Sequence, residues 1–184
     1  MTSYALLGML MIDAERESTG STGYELKQLS DKTLRYYWVS PAMSLIYTEL
    51  DRLADQRLVD AEDSTEGRRT TRRFRINAHG RRALRDWLDT PLEDPFPMLK
   101  HPVALRLFMG QLVDPETVVA QLDDYLAALE RRRGELLAVR DHLGDDENRR
   151  YPARVARWGL AYYDAETRIV QELRRDVEDE IGRS

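Results

Sequence analysis

The chain has 184 residues, of which 33% are charged, with a net charge of −5 and no cysteine. That length supports a real core, in one domain or in a small domain with an appendage. The missing thiols exclude disulfides, thiol catalysis and cysteine-based zinc fingers. The longest apolar run, residues 4–12, is too short to span a bilayer. It also lacks a basic leader and a small-residue cleavage site, so a cytoplasmic protein is expected.

Tyr4 to Ile12 predicts a short helix, apolar nearly all round, running on toward Glu15. Arg16 to Thr22 reads as a polar loop. Gly20 and Gly23 near its end do not form a phosphate-binding loop, because the P-loop spacing and a preceding strand are both missing. A helix starts at Ser21 or Thr22 and runs to about Arg35. Tyr24, Leu26, Leu29 and Leu34 supply its apolar side and Lys27 lies opposite. Tyr36, Tyr37 and Trp38 form an aromatic cluster suited to a core or to a pocket for a flat ligand.

The next stretch organises the rest. Ser40 reads as a helix cap and Pro41 as the first helical residue. Ile46, Leu50 and Leu53 recur at helical spacing and make one buried stripe. Met43, Ser44, Tyr47 and Thr48 fall off that stripe near the N-terminal end, while Asp51 and Asp55 lie toward the other end. Leu58 to Glu62 predicts a strand, Asp63 to Gly67 a turn, and Thr70 to Ile76 a second strand. Phe74 and Ile76 take one face of that strand, and Arg73 and Arg75 take the other. Arg68, Arg69, Arg72 and Arg73 crowd the tip and the outgoing strand. Guanidinium groups that close repel one another unless an anion is present, and a phosphate backbone supplies one. A capped helix followed by a basic hairpin is how a winged helix-turn-helix meets DNA, with only the first helical turns inserted. The plainer alternative is a surface helix and an edge strand guarded by charge. The acidic net charge does not oppose DNA binding: the first 90 residues carry 14 acids and 14 bases, so the surplus lies beyond them.

Asn77 then caps a helix through Arg82, Leu84, Trp87 and Leu88, ended by Thr90-Pro91. Residues 91–102 are proline-rich and read as a linker, with His101 in it. Val103 to Leu112 predicts a short helix. Asp114-Pro115-Glu116 opens a long one carrying Val118, Leu122, Tyr125, Leu129, Leu136, Val139 and Leu143, and Gly144 stops it. Pro152 opens the last helix, with Val155, Trp158, Tyr162, Ile169, Leu173, Val177 and Ile181 as its stripe. Two such helices joined by a short turn cannot bury both stripes on each other. A homodimer made by this half is expected, against the alternative of an intramolecular bundle.

Leu6-Leu7-Gly8-Met9-Leu10, Gly23-Tyr24-Glu25-Leu26-Lys27, Trp38, Ser44-Leu45-Ile46-Tyr47, Leu50, Leu53, Leu58-Val59 and Arg72-Arg73-Phe74-Arg75-Ile76 leading to Gly80 resemble, in order and spacing, the PadR family of bacterial transcriptional regulators. Gly159-Leu160-Ala161-Tyr162-Tyr163 is similar to the family's C-terminal helix. Arg57 departs from the pattern, since the family often has glycine at that corner, where a residue with positive φ costs about a kcal/mol.

The resemblance implies a mainly α fold. Residues 1–90 would be a winged helix-turn-helix with a two-stranded wing, 91–102 a linker, and 103–184 an antiparallel helical dimerisation domain. It implies a ligand-responsive repressor that binds a palindromic operator in double-stranded DNA as a homodimer. Ser40, Met43, Ser44, Tyr47 and Thr48 would read DNA from the helix, and Lys27 would reach a phosphate. Arg68, Arg69, Thr70, Arg72 and Arg73 would hold the backbone or enter the minor groove. A small aromatic or hydrophobic effector would relieve repression, with Trp38, Trp158 and Tyr162 as candidate lining residues, although a core role is the simpler reading of each.

An enzyme is not expected. His79, His101 and His142 show no metal-ligand spacing, and no nucleophile-elbow, dinucleotide-binding or P-loop pattern occurs, so no metal or cofactor is implied. The remaining alternative is a helical protein-interaction module that does not bind DNA.

Overall fold

The computed structural model describes residues 1–14, 19–36, 40–66, 69–92, 101–144 and 147–182, with backbone alone at 64–66, 69, 70 and 148. The chain divides into two compact units, Met1–Pro95 and Phe96–Ser184.

In the first unit, α1 (Thr2–Ala14), β1 (Ser21–Thr22), α2 (Gly23–Thr33), α3 (Met43–Asp55), β2 (Val59–Glu66), β3 (Arg69–Ile76) and α4 (Ala78–Asp89) follow one another. Leu6, Leu7 and Leu10 of α1, Leu26 of α2, Ile46, Leu50 and Leu53 of α3 and Phe74 of β3 are almost wholly buried together. Truncating any of these leucines to alanine should cost about 2–5 kcal/mol. Tyr4 stacks on Trp87, ring centroids 4.7 Å apart, and so ties α1 to α4.

Helix α2 opens with a capping box. The Thr22 hydroxyl accepts from the Glu25 amide, and the Glu25 carboxylate accepts from the Thr22 amide. Its inward face is Gly23, Leu26 and Ser30, so Tyr24, expected on the apolar side, is exposed instead.

Helix α3 begins later than expected. Its cap position is Ala42, with no side-chain cap, and Ser40 and Pro41 precede it. Ser40 does not cap because its hydroxyl is committed to Asp31, at 2.6 Å.

The far end of α3 closes with two backbone bonds, Arg57 N to Ala54 O at 2.9 Å and Leu58 N to Leu53 O at 2.9 Å. This left-handed cap puts Arg57 at φ +57°. It is the corner where glycine was expected in related sequences, and the arginine bears the strain. Asn77 braces the corner: its amide nitrogen donates to the Arg57 carbonyl at 3.1 Å and its oxygen accepts from the Gly80 amide at 3.0 Å.

The sheet is antiparallel with order β1-β3-β2. The wing proper is two-stranded. The additional strand β1 pairs Ser21 with Phe74 and Thr22 with Arg73, and two residues are too few to show alternation in sequence. The turn is also shorter than expected. Glu66 pairs with Arg69, so Asp63 to Glu66 are strand rather than turn. Register supplies the reason. Asp60 faces Arg75, Glu62 faces Arg73, Asp63 faces Arg72 and Glu66 faces Arg69. The diagonal pair Arg75–Glu62, at 3.2 Å, makes a charge contact across these strands, and such a pair contributes about 0.2–1 kcal/mol.

In the second unit, α5 (Pro102–Phe108) leads through a turn at Gly110–Leu112 to α6 (Pro115–Leu143) and α7 (Arg150–Ile181). The helix expected over residues 103–112 therefore breaks at Met109. His101, expected in the linker, is the cap of α5 and accepts from the Ala104 amide at 3.0 Å; linker residues 93–100 lie outside the described residues. Gly144 ends α6 with φ +59°. Helix α7 starts at Arg150, two residues before Pro152, because proline is tolerated in a first helical turn.

Arg133 pairs with Asp164 and Arg174 with Asp123, so α6 and α7 run antiparallel. Val118, Leu122, Leu129 and Leu136 of α6 and Ala156, Leu160, Tyr163 and Val170 of α7 are the buried hydrophobic residues of this helix pair. Of the stripe expected on α7, Val155, Leu173, Val177 and Ile181 are half-buried and the other three residues face outward. Trp158, Tyr162 and Ile169 are 73%, 47% and 51% exposed. Gly159 admits α6 at close range, since a Cβ there would lie 2.7 Å from Leu136 Cδ2, and with the buried Ala156 it turns the larger side chains away.

Candidate nucleic-acid interface

The surface is built from the start of α3 and the adjoining wing. Burial of Ile46, Leu50 and Leu53 fixes the rotation of α3 and turns Ser44, Leu45, Tyr47 and Thr48 outward, with Met43 half-buried. The Thr48 hydroxyl donates to the Ser44 carbonyl at 3.0 Å. Tyr47 rests across the first residue of α2: a Cβ on Gly23 would lie 2.6 Å from its ring.

The segment leading into α3 is held by a polar cluster. Lys27 pairs with Asp31 and donates to the Ser40 hydroxyl at 3.1 Å, and the buried Ser30 hydroxyl donates to Ser40 at 3.1 Å. The hydrogen bonds from Lys27 and then Ser40 hold the Asp31 carboxyl below its usual range. Lys27 and Ser40 are thus engaged inside the motif, bracing α2 against the start of α3.

Of the four wing arginines, the two whose side chains are described, Arg72 and Arg73, are both paired. Arg72 and Arg73 point to opposite faces of β3, as alternation demands. Arg72 reaches back to α3 and pairs with Asp51 at 2.8 Å, its guanidinium 5.4 Å from the Phe74 ring centroid. Arg73 donates to the Gly20 carbonyl at 2.6 Å and meets Glu25 at 3.4 Å, tying the sheet to the start of α2. The expected mutual repulsion is offset for these two, because each meets a carboxylate on a neighbouring helix, Asp51 or Glu25. Arg68 lies outside the described residues, as do the side chains of Arg69 and Thr70.

The Arg72–Asp51 pair settles a difficulty with α3. Asp51 sits on its outward side, where a carboxylate would repel phosphate, and the wing arginine offsets that charge. On α3 itself, Glu49 accepts from Ser3 at 2.6 Å and from Arg52 at 2.8 Å. These bonds, that from Arg52 first, hold its carboxyl below the usual range.

Of the expected effector residues, Trp158 and Tyr162 lie exposed on α7 rather than in a core, and Trp38 is outside the described residues. One cluster has no sequence signal at all. His101 Nε2 lies 3.0 Å from the Tyr125 hydroxyl and 2.8 Å from Glu166, and the Tyr125 hydroxyl donates to Glu166 at 3.1 Å. Burial and then the Glu166 charge push the Tyr125 hydroxyl well above the usual tyrosine range. Among the described residues no group of three or more His, Asp or Glu could hold a metal, and no helix is long and apolar enough to cross a membrane.

Residues 12–86 match the transcriptional regulator PadR-like family, and residues 99–177 match the virulence activator alpha C-terminal family. No curated protein matches in a sequence search. Among solved structures, Bacillus subtilis PadR in complex with operator DNA superposes with a TM-score of 0.80 at 18% identity, covering 96% of this chain and 98% of that one. The same protein in complex with p-coumaric acid gives 0.74 at 18% identity, over 96% and 98%. The Vibrio cholerae virulence activator AphA gives 0.72 at 17% identity, over 98% and 99%. At such identities the likeness is one of fold. Residues 12–86 thus form a domain that matches the PadR-like family of transcriptional regulators, and the chain shares the fold of the PadR structures.

Proposed function

We propose that the chain is a sequence-specific DNA-binding repressor that acts as a homodimer on a palindromic operator and is released by a small aromatic or hydrophobic effector. The observation that supports DNA binding is the Arg72–Asp51 pair, which offsets an outward carboxylate beside the exposed turns of α3. Ser44, Tyr47 and Thr48 would read bases, with Met43 beside them, and Arg68, Arg69, Thr70 and Arg72 would hold the backbone. Lys27, Ser40 and Arg73 would act by bracing the motif.

Dimerisation is supported by apolar surface left over in the second unit. Trp158, Tyr162 and Ile169 on α7, and Leu105, Phe108 and Leu112 around α5, are all exposed. A second copy would cover such a face and present two reading helices about one or two turns of DNA apart, ~34–36 Å per turn. The domain division would fall at residues 1–90 and 103–184, with a linker between. For the effector, Trp158 and Tyr162 offer flat apolar rings, and B. subtilis PadR has been solved with p-coumaric acid. The protein would work in the cytoplasm, as a regulator and not as an enzyme.

The test is binding of the purified protein to DNA from upstream of its own gene, by anisotropy at several salt concentrations. A specific complex with a steep salt slope supports the proposal. Equal, weak binding to every sequence would leave only the protein-interaction reading.

A further inference from the structure

The exposed start of α3 is unusual in what it lacks. Bidentate reading of guanine needs Arg or Lys, and reading of adenine needs Asn or Gln. None of these four residue types occurs between Pro41 and Asp51. The first, Arg52, is held by Glu49 and Ser3. What the helix presents is Ser44, Leu45, Tyr47 and Thr48. Tyr47 lies against Gly23, and the Thr48 hydroxyl hydrogen is turned back onto the Ser44 carbonyl. Leu45 is left 42% exposed, and Thr48, one turn on, offers its methyl group on the same face.

Resting on the DNA-binding reading above, we infer that α3 selects its half-site by apolar contact with pyrimidine C5-methyl groups, with Leu45 as the specificity-determining residue. In the major groove the C5-methyl is the apolar feature of thymine, and cytosine offers only a hydrogen-bond donor nearby. An aliphatic side chain discriminates by burying that methyl and gains nothing from bare cytosine. The same chemistry is supplied by 5-methylcytosine, so the site should respond to cytosine methylation wherever a methylated cytosine takes the place of the contacted thymine.

The test uses the full-length protein. Bound duplexes are selected from a random pool, and each thymine of the selected site is replaced in turn by deoxyuridine, which lacks only the methyl. One position per half-site should lose affinity by about fourfold, the effect of one buried methyl group. At that position 5-methylcytosine, paired with guanine, should bind more tightly than cytosine. Leu45→Ala, an exposed helical site that leaves the fold intact, should bind the thymine and deoxyuridine duplexes equally. A flat deoxyuridine scan with binding otherwise strong would overturn the inference while leaving the regulator reading in place. So would a Leu45→Ala protein that keeps the full methyl preference. A pool that yields no bound DNA would overturn the regulator reading itself, and this inference with it.

Discussion

The Tyr47 ring lies against Gly23, so close that a Cβ on the glycine would fall 2.6 Å from Cε1. That contact joins the first residue of α2 to the exposed side of α3 and sets how closely the two helices approach.

Gly23→Ala should therefore displace Tyr47, costing about 1–3 kcal/mol as an overpacked contact does. The double variant Gly23→Ala/Tyr47→Ala should be no less stable than Tyr47→Ala alone. Chemical denaturation of the four proteins checks this, and additive losses would mean that the two residues do not press on each other.

The corner after α3 contains two opposite errors to exploit. Arg57 holds φ +57° without the freedom of glycine, so Arg57→Gly should stabilise the protein by about 0.5–1 kcal/mol. Gly80→Ala should do the reverse, since its Cβ would overlap the Leu58 carbonyl oxygen, which is backbone and cannot swing away. Thermal unfolding of both variants gives the signs directly.

On the proposed DNA-binding reading, Arg72→Ala should remove more than one phosphate contact, because it would also leave Asp51 uncompensated beside the DNA. Its affinity loss should exceed that of removing a lone phosphate ligand, and adding Asp51→Asn should restore part of it. Binding isotherms at two salt concentrations test this. If the Asn change brings no recovery, the pair does not shield α3.

Trp158→Asp combined with Ile169→Asp should give a folded monomer, because both side chains are exposed within one chain and no core contact is lost. Light scattering reads the mass and circular dichroism the helix content. A dimer that survives both charges uses another face.

Tyr125 predicts an alkaline limit. Its hydroxyl keeps its proton to higher pH in the folded chain than in the unfolded one, because of burial and the Glu166 charge. The folded state then binds the extra proton, so stability is fully present below about pH 10 and declines as pH rises beyond it. Tyr125→Phe should flatten the fall in melting temperature over that range. An unchanged slope would assign the loss to other groups.

Much of this could be read directly from the chain. The Ile46, Leu50, Leu53 stripe, the Asn77 cap and the Gly144 stop were all legible, because each depends on local periodicity or on a single turn of backbone. The sequence also showed the basic hairpin beside a helix. It did not show where the arginines point. Arg72 and Arg73 are neighbours in sequence, yet the pleat sends one to Asp51 on α3 and the other to Gly20 and Glu25. Ser40 looked like a cap until Asp31, nine residues earlier, claimed its hydroxyl.

In the second half the composition determined two long amphipathic helices, and only packing decided which stripe of α7 faces inward. Both stripes are apolar enough for the seam. Ala156 and Gly159 lie on the buried side, so Trp158, Tyr162 and Ile169 were left exposed. Helical spacing fixes which residues share a face, whereas the choice between two such faces depends on the shape of the neighbour, which no single stretch of sequence contains.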